Sequence, residues 1–117
     1  MPDDLDMPPA DALTEAQHLL DADRPFHAHE VLEAAWKTAP EPERELWRGL
    51  AQIAVGITHL RRGNTRGAEA LLSRAAERLV PYETDAPHSI DVRGVVQRAR
   101  DLAASPETGP VKLRLTI

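Results

Sequence analysis

The stretch 45-ELWRGLAQIAVGITHLRR-62 decides how the chain is read. Leu46, Leu50, Ile53, Ile57 and Leu60 recur at steps of three and four, which places them on one stripe of an α-helix. The spacing predicts a helix from Glu43 to Arg62, the longest and most apolar of the chain. Gly63 is a stop for it, and Asn64 or Thr65 a cap for the next helix. That helix carries Ala68, Leu71, Leu72, Ala75 and Leu79 and ends at Pro81. Upstream, 26-FHAHEVLEAAW-36 has helical spacing too, with Pro25 suited to its first turn, Asp23 able to cap it and a stop near Pro40. A first helix spans about Ala10 to Ala22, with Leu13, Ala16, Leu19 and Leu20 in phase. A fifth begins near Ser89 to Asp91 and presents Val92, Val95, Val96, Ala99 and Leu102 before Ser105-Pro106. The fold class expected is therefore all-α, a compact bundle of about five helices.

Two of the helix pairs resemble each other. Residues 18-HLLDADRPFHAHEVLEAA-35 align with 59-HLRRGNTRGAEALLSRAA-76 after a one-residue shift. Ala28, Val31, Leu32 and Ala35 then match Ala68, Leu71, Leu72 and Ala75, which predicts two tetratricopeptide-like hairpins. Residues 1–9 are expected to be a disordered segment and 10–105 the helical domain. In 106–117, the tail VKLRLTI alternates apolar and polar residues, so it is expected to lie extended against the helices.

Composition narrows the function. The 117 residues carry a net charge of −5, which disfavours nucleic acid and acidic membranes as partners. Cysteine is absent, so neither disulfides nor thiolate metal sites are available. No apolar run approaches the ~18 residues of a membrane span. The start MPDDLDMPPADAL is acidic and proline-rich, unlike a signal peptide, and the expected location is cytoplasmic. Only four residues are aromatic, so the core is Leu, Ala, Val and Ile.

Against that background, the polar residues of the second helix stand out. His29 and Glu33 lie one turn apart, about 40° from each other around the helix. Phe26 and Trp36 share that side, and Glu30 is farther round. The corresponding positions of the second hairpin are Glu69, Ala70 and Ser73, so hairpin packing alone does not require His29, Glu30 and Glu33. In the third helix Arg48, Gln52 and His59 form one polar stripe in an apolar run. Gly49 and Gly56 each cost about 1 kcal/mol against alanine in a helix interior, and a close helix crossing would justify them. If the second helix crosses there, His29, Glu30 and Glu33 meet Gln52 and His59 in one interhelical site. Trp36 and Trp47 would belong to the core or, with Phe26, wall a pocket.

Three chemistries suit such a site. A hydrogen-bonded network would fasten two helices, because a buried carboxylate needs partners. A divalent metal (Zn, Fe or Mn) would use His29, Glu33 and His59 as ligands, with Glu30 or a water nearby. The string His29-Glu30-Val31-Leu32-Glu33 differs by one residue from the zincin pattern HExxH, Glu33 replacing the second His. A pocket for a small ligand or peptide would use the same groups as hydrogen-bonders. Self-association is also open.

An aromatic residue followed by His-Glu-x-x-Glu-x-x-Trp, then Gly-Leu-x-Gln in a helix ending at His, then Gly-Asn-x-x-Gly-Ala, resembles the small helical family catalogued as domain of unknown function 309. Phe26, His29, Glu30, Glu33, Trp36, Gly49, Leu50, Gln52, His59, Gly63, Asn64, Gly67 and Ala68 fill those places over roughly residues 13 to 80. The resemblance implies an all-helical bacterial or archaeal domain. The family has carried the label of a predicted metal-dependent hydrolase, which points at the same His and Glu residues.

Overall fold

The computed structural model describes residues 7–117, so residues 1–6 of the expected N-terminal segment lie outside the described residues. Five helices follow in order: α1 (Pro9–Asp21), α2 (Pro25–Thr38), α3 (Arg44–Arg61), α4 (Thr65–Leu79) and α5 (Val92–Ala104). The fold is an all-α bundle. Short 3₁₀ turns at Glu41–Glu43, Val80–Tyr82 and Pro87–Ser89 join the later helices.

Each helix packs on the next: α1 on α2, α2 on α3, α3 on α4 and α4 on α5. That order fits α3 burying more of its residues than any other helix. With α2 and α4 both packed on it, it buries Ala51 and Ala54 as well as the stripe Leu46, Leu50, Ile53, Ile57 and Leu60. Leu32 from α2, Leu72 and Leu79 from α4, and Val95 and Leu102 from α5 complete the core. A leucine fully removed from water contributes about 2 kcal/mol, so this continuous core dominates stability.

Local chemistry sets the helix boundaries. Asn64 caps α4 by accepting from Gly67 N, and Asp91 caps α5 by accepting from Gly94 N. Gly63, at φ +77°, makes the left-handed stop after α3. Asp23 departs from the expected cap: α2 starts after Arg24 without a side-chain cap bond. Asp23 instead adopts φ +61° in the α1–α2 turn and turns its carboxylate to Arg61.

The two interior glycines of α3 receive α4, which corrects the expectation that α2 crosses there. A Cβ at Gly49 would lie 2.7 Å from Leu79 Cδ2, and one at Gly56 would lie 2.7 Å from Leu72 Cδ2. The glycines are spaced by seven, and so are the leucines, so antiparallel α3 and α4 interdigitate at two levels. A seven-residue spacing serves any neighbouring helix equally, which is why the sequence does not name the partner.

The C-terminal segment runs back against α1 and α5. Val111, Leu113 and Leu115 are buried while Lys112 and Arg114 are exposed. Gln17 of α1 clamps its backbone: Nε2 donates to Leu113 O at 2.8 Å, and Oε1 accepts from Leu115 N at 2.9 Å. A single antiparallel bridge, Ile90 to Thr116, ties the segment to the start of α5.

Candidate functional site

The seam between α2 and α3 is pinned at both ends by aromatic–guanidinium stacking. The Arg48 guanidinium lies 5.5 Å from the Trp36 ring centroid, and that of Arg62 lies 5.9 Å from the Phe26 ring. The start of α2 therefore sits beside the end of α3, and each stacking contributes about 0.5–1 kcal/mol at an exposed position. His29 and Glu33 lie between the pins on α2. They do so because Leu32 and Ala28 fill the core, leaving the neighbouring helical positions at its border.

Within the seam, His29 Nε2 is 3.9 Å from Glu33 Oε2, too long for a hydrogen bond. The other ring nitrogen, His29 Nδ1, is shielded from solvent and has no hydrogen-bond partner. The Phe26 ring stands 5.6 Å from the His29 ring and 6.1 Å from that of His27. Phe26 is 45% exposed, one of few large apolar side chains at the surface. Glu30 is exposed and Glu33 is half-buried.

The polar residues of α3 are engaged elsewhere. Gln52 Oε1 accepts from Arg78 Nε of α4 at 3.1 Å, and Arg78 also pairs with Glu45. His59 Nδ1 lies 3.2 Å from Asn64 Nδ2. Because Asn64 Oδ1 already accepts from Gly67 N, its amide N–H faces His59, whose Nδ1 is the acceptor. The physical reason is the one given for the glycines: α4 and its cap approach α3 at this stripe. Among the described residues, no group of three or more His, Asp or Glu side chains is arranged to hold a metal ion. His29 and Glu33 thus offer two adjacent donors, with His59 bonded to the α4 cap.

Trp47 is fully buried, apart from the seam. Its Nε1 donates to Glu43 Oε1 at 3.2 Å, and its ring lies 5.9 Å from that of His88. His88 Nε2 meets the same Glu43 oxygen at 2.8 Å. The sequence held no local signal for this trio, because His88 is 45 residues from Glu43. Arg61, at the end of α3, is not left as a free solvated charge. Its Nε and Nη2 instead donate to Asp23 at 2.8 and 2.7 Å, and its Nη1 donates to Thr108 O. The Arg61 hydrogen bonds hold the Asp23 carboxyl below its ordinary pKa and raise that of Arg61 in return.

No helix among the described residues is long and apolar enough to cross a membrane. Comparison with known proteins locates the seam inside a recognised family. The family model described as "Domain of unknown function (DUF309)" matches residues 13–71, which run from α1 into α4 and include every seam residue from Phe26 to Arg62. Among curated proteins, the chain is similar to "Uncharacterized protein YpuF" of Bacillus subtilis (strain 168), with 43% identity over 51 residues. That alignment spans 43% of this chain and 29% of the relative's length. No solved structure matches, so the tetratricopeptide likeness rests on the internal offset of the sequence alone. With half of its length matched by the family model, the chain belongs to the family of domains of unknown function DUF309.

Proposed function

We propose that this is a binding module whose α2–α3 seam takes a small polar ligand or the end of a peptide. The observation that carries the reading is His29 Nδ1, shielded and without a protein partner. An unsatisfied buried polar atom costs about 1–3 kcal/mol, and a seam that only fastened two helices would be expected to pair it. Rotation of the partly exposed His29 ring would bring that nitrogen to the surface, where a ligand group bonded to it would recover this loss. Glu30 and Glu33 on α2 offer acceptors for an amine. Arg48 and Arg62, at the two ends of the seam, offer donors for a carboxylate, and exposed Phe26 offers an apolar face. The complementary ligand carries both charges, as free amino acids and short peptides do.

The test is a thermal-shift and ¹H–¹⁵N NMR panel of free amino acids and dipeptides. The expected result is a zwitterionic compound that perturbs the His29 and Glu33 amides, with His29→Ala abolishing the effect while the free variant stays folded. Two results would return the seam to a fastening role: a panel without response, or free His29→Ala and Glu33→Gln variants each destabilised by more than about 1 kcal/mol.

A divalent metal on His29, Glu33 and His59 is the competing reading, supported by the one-turn spacing of His29 and Glu33. It requires His59 to leave Asn64. Elemental analysis of untagged protein beside a His29→Ala/His59→Ala variant separates the two: near-stoichiometric Zn, Fe or Mn lost in the variant would favour the metal. We assign the protein to the cytoplasm, in keeping with its acidic net charge, and cell fractionation tests that assignment.

A further inference from the structure

The C-terminal segment, residues 111–117, uses one edge of its extended backbone and leaves the other open. On the used edge, Leu113 O and Leu115 N are bonded to the Gln17 side chain. Leu115 O accepts from Asp91 N at 2.8 Å, and Ile117 N donates to Ser89 O at 2.9 Å. These last two bonds flank the Ile90–Thr116 bridge and do not involve the backbone groups of Thr116 itself. Successive residues of a strand turn their N–H and C=O to opposite edges, so Lys112, Arg114 and Thr116 present theirs on the far side. There Lys112 O accepts from Arg98 Nε at 2.8 Å. The N–H and C=O of Arg114 and of Thr116 have no partner among the described residues. A buried backbone group would need one, so these face water. Two donors and two acceptors thus alternate along an open edge, the pattern with which an added strand pairs.

Charge selects the partner. Residues 92–117 carry Arg93, Arg98, Arg100, Lys112 and Arg114 against Asp101 and Glu107, a net charge of +3 in a chain of −5. Both acids are engaged: Glu107 accepts from Arg98, and Asp101 accepts from Gln97 Nε2. Lys112 and Arg114 are exposed and form no ion pair or side-chain hydrogen bond among the described residues. Two residues apart on a strand, they share its solvent face, where an added strand meets both. A second copy of this chain on the same edge would set these cations against their like. Nucleic acid offers phosphates but no alternating amide donors and acceptors, and residues 92–117 hold no aromatic ring on which to stack a base.

We propose that residues 112–116 dock an acidic peptide in extended conformation. It adds as a strand along the open edge, with its carboxylates on Lys112 and Arg114. The site lies on the α1 and α5 side of the bundle, apart from the α2–α3 seam, and does not depend on its occupant.

The experiment titrates the full ¹⁵N-labelled chain with a capped heptapeptide that alternates valine and glutamate. Three further ligands are compared: the same peptide with lysine for glutamate, the glutamate peptide with all backbone amides N-methylated, and a thymidine octanucleotide. The expected result is saturable amide shifts centred on residues 112–116 with the glutamate peptide, and slowed hydrogen exchange at Arg114 and Thr116. The other three ligands should bind at least about tenfold more weakly, lacking either the charge or the backbone pattern. A Lys112→Gln/Arg114→Gln variant removes side chains that hold no contact of the fold. It should keep its thermal midpoint and weaken peptide binding at least about fivefold. Four results would overturn the proposal. They are no saturable shift with the glutamate peptide, shifts centred on the α2–α3 seam, equal binding by the N-methylated peptide or the oligonucleotide, and self-association of the chain through these same amides.

Discussion

Replacing Gly56 by alanine sets two opposed effects against each other at the α3–α4 crossing. Alanine favours the helix interior over glycine by about 1 kcal/mol. The new Cβ, however, would stand 2.7 Å from both Cδ2 and Cγ of Leu72. Ordinary carbon contacts sit at about 3.5–4.0 Å, and Leu72 is completely buried, with no room to swing its branch aside. Overpacking of this kind costs about 1–3 kcal/mol, so the net expectation is a loss of about 1 kcal/mol, or about 4 °C in Tm. The sign of the effect should depend on Leu72. Leu72→Ala alone costs about 2–5 kcal/mol, but it removes the obstructing atoms. On that background Gly56→Ala should stabilise by about 1 kcal/mol, giving a coupling of about 2 kcal/mol between the two positions. Urea denaturation of the four proteins, followed by far-UV circular dichroism, measures all the terms. Gly56→Ala that destabilises equally with and without Leu72 would refute the assignment of this glycine to the α3–α4 crossing.

Two further outcomes follow from specific contacts. Gln17→Ala leaves the Leu115 N–H without its acceptor and Leu113 O without its donor, at a cost of about 1–3 kcal/mol; hydrogen exchange at Leu115 should accelerate well before exchange in α3 does. The Asp23 carboxyl is held below its ordinary pKa by the Arg61 hydrogen bond, so the unfolded chain binds more protons at mildly acidic pH. The stabilisation is complete above the ordinary carboxylate pKa and is lost as pH falls through the lowered one. Asp23→Asn should flatten that part of the acid-unfolding profile, and an unchanged slope would remove this pair as a contributor.

The site was legible only in part. His29 and Glu33 could be placed at the border of the α2 apolar face because helical geometry relates residues four apart whatever surrounds them. Gln52 and His59 could be placed on one stripe of α3 for the same reason. Their partners could not, since Arg78 and Asn64 come from α4 and its cap. His88 illustrates the limit: it precedes a helix cap in sequence, and only folding brings it to Glu43 and Trp47.

The sequence by itself determined the five helices, the stop at Gly63, a cap for α4 at Asn64 or Thr65, the start of α5 near Ser89 to Asp91 and most of the core list. These depend on local periodicity and on hydrogen bonds spanning a few residues. Tertiary structure decided which helix the glycines of α3 admit, that Asp23 pairs with Arg61 rather than capping α2, and that Gln52 and His59 of α3 bond to α4 and its cap rather than to His29 and Glu33. Those outcomes turn on which of two flanking helices meets each face of α3. A pattern repeating every seven residues serves either neighbour, and only leucines on the opposing helix at the same spacing select one.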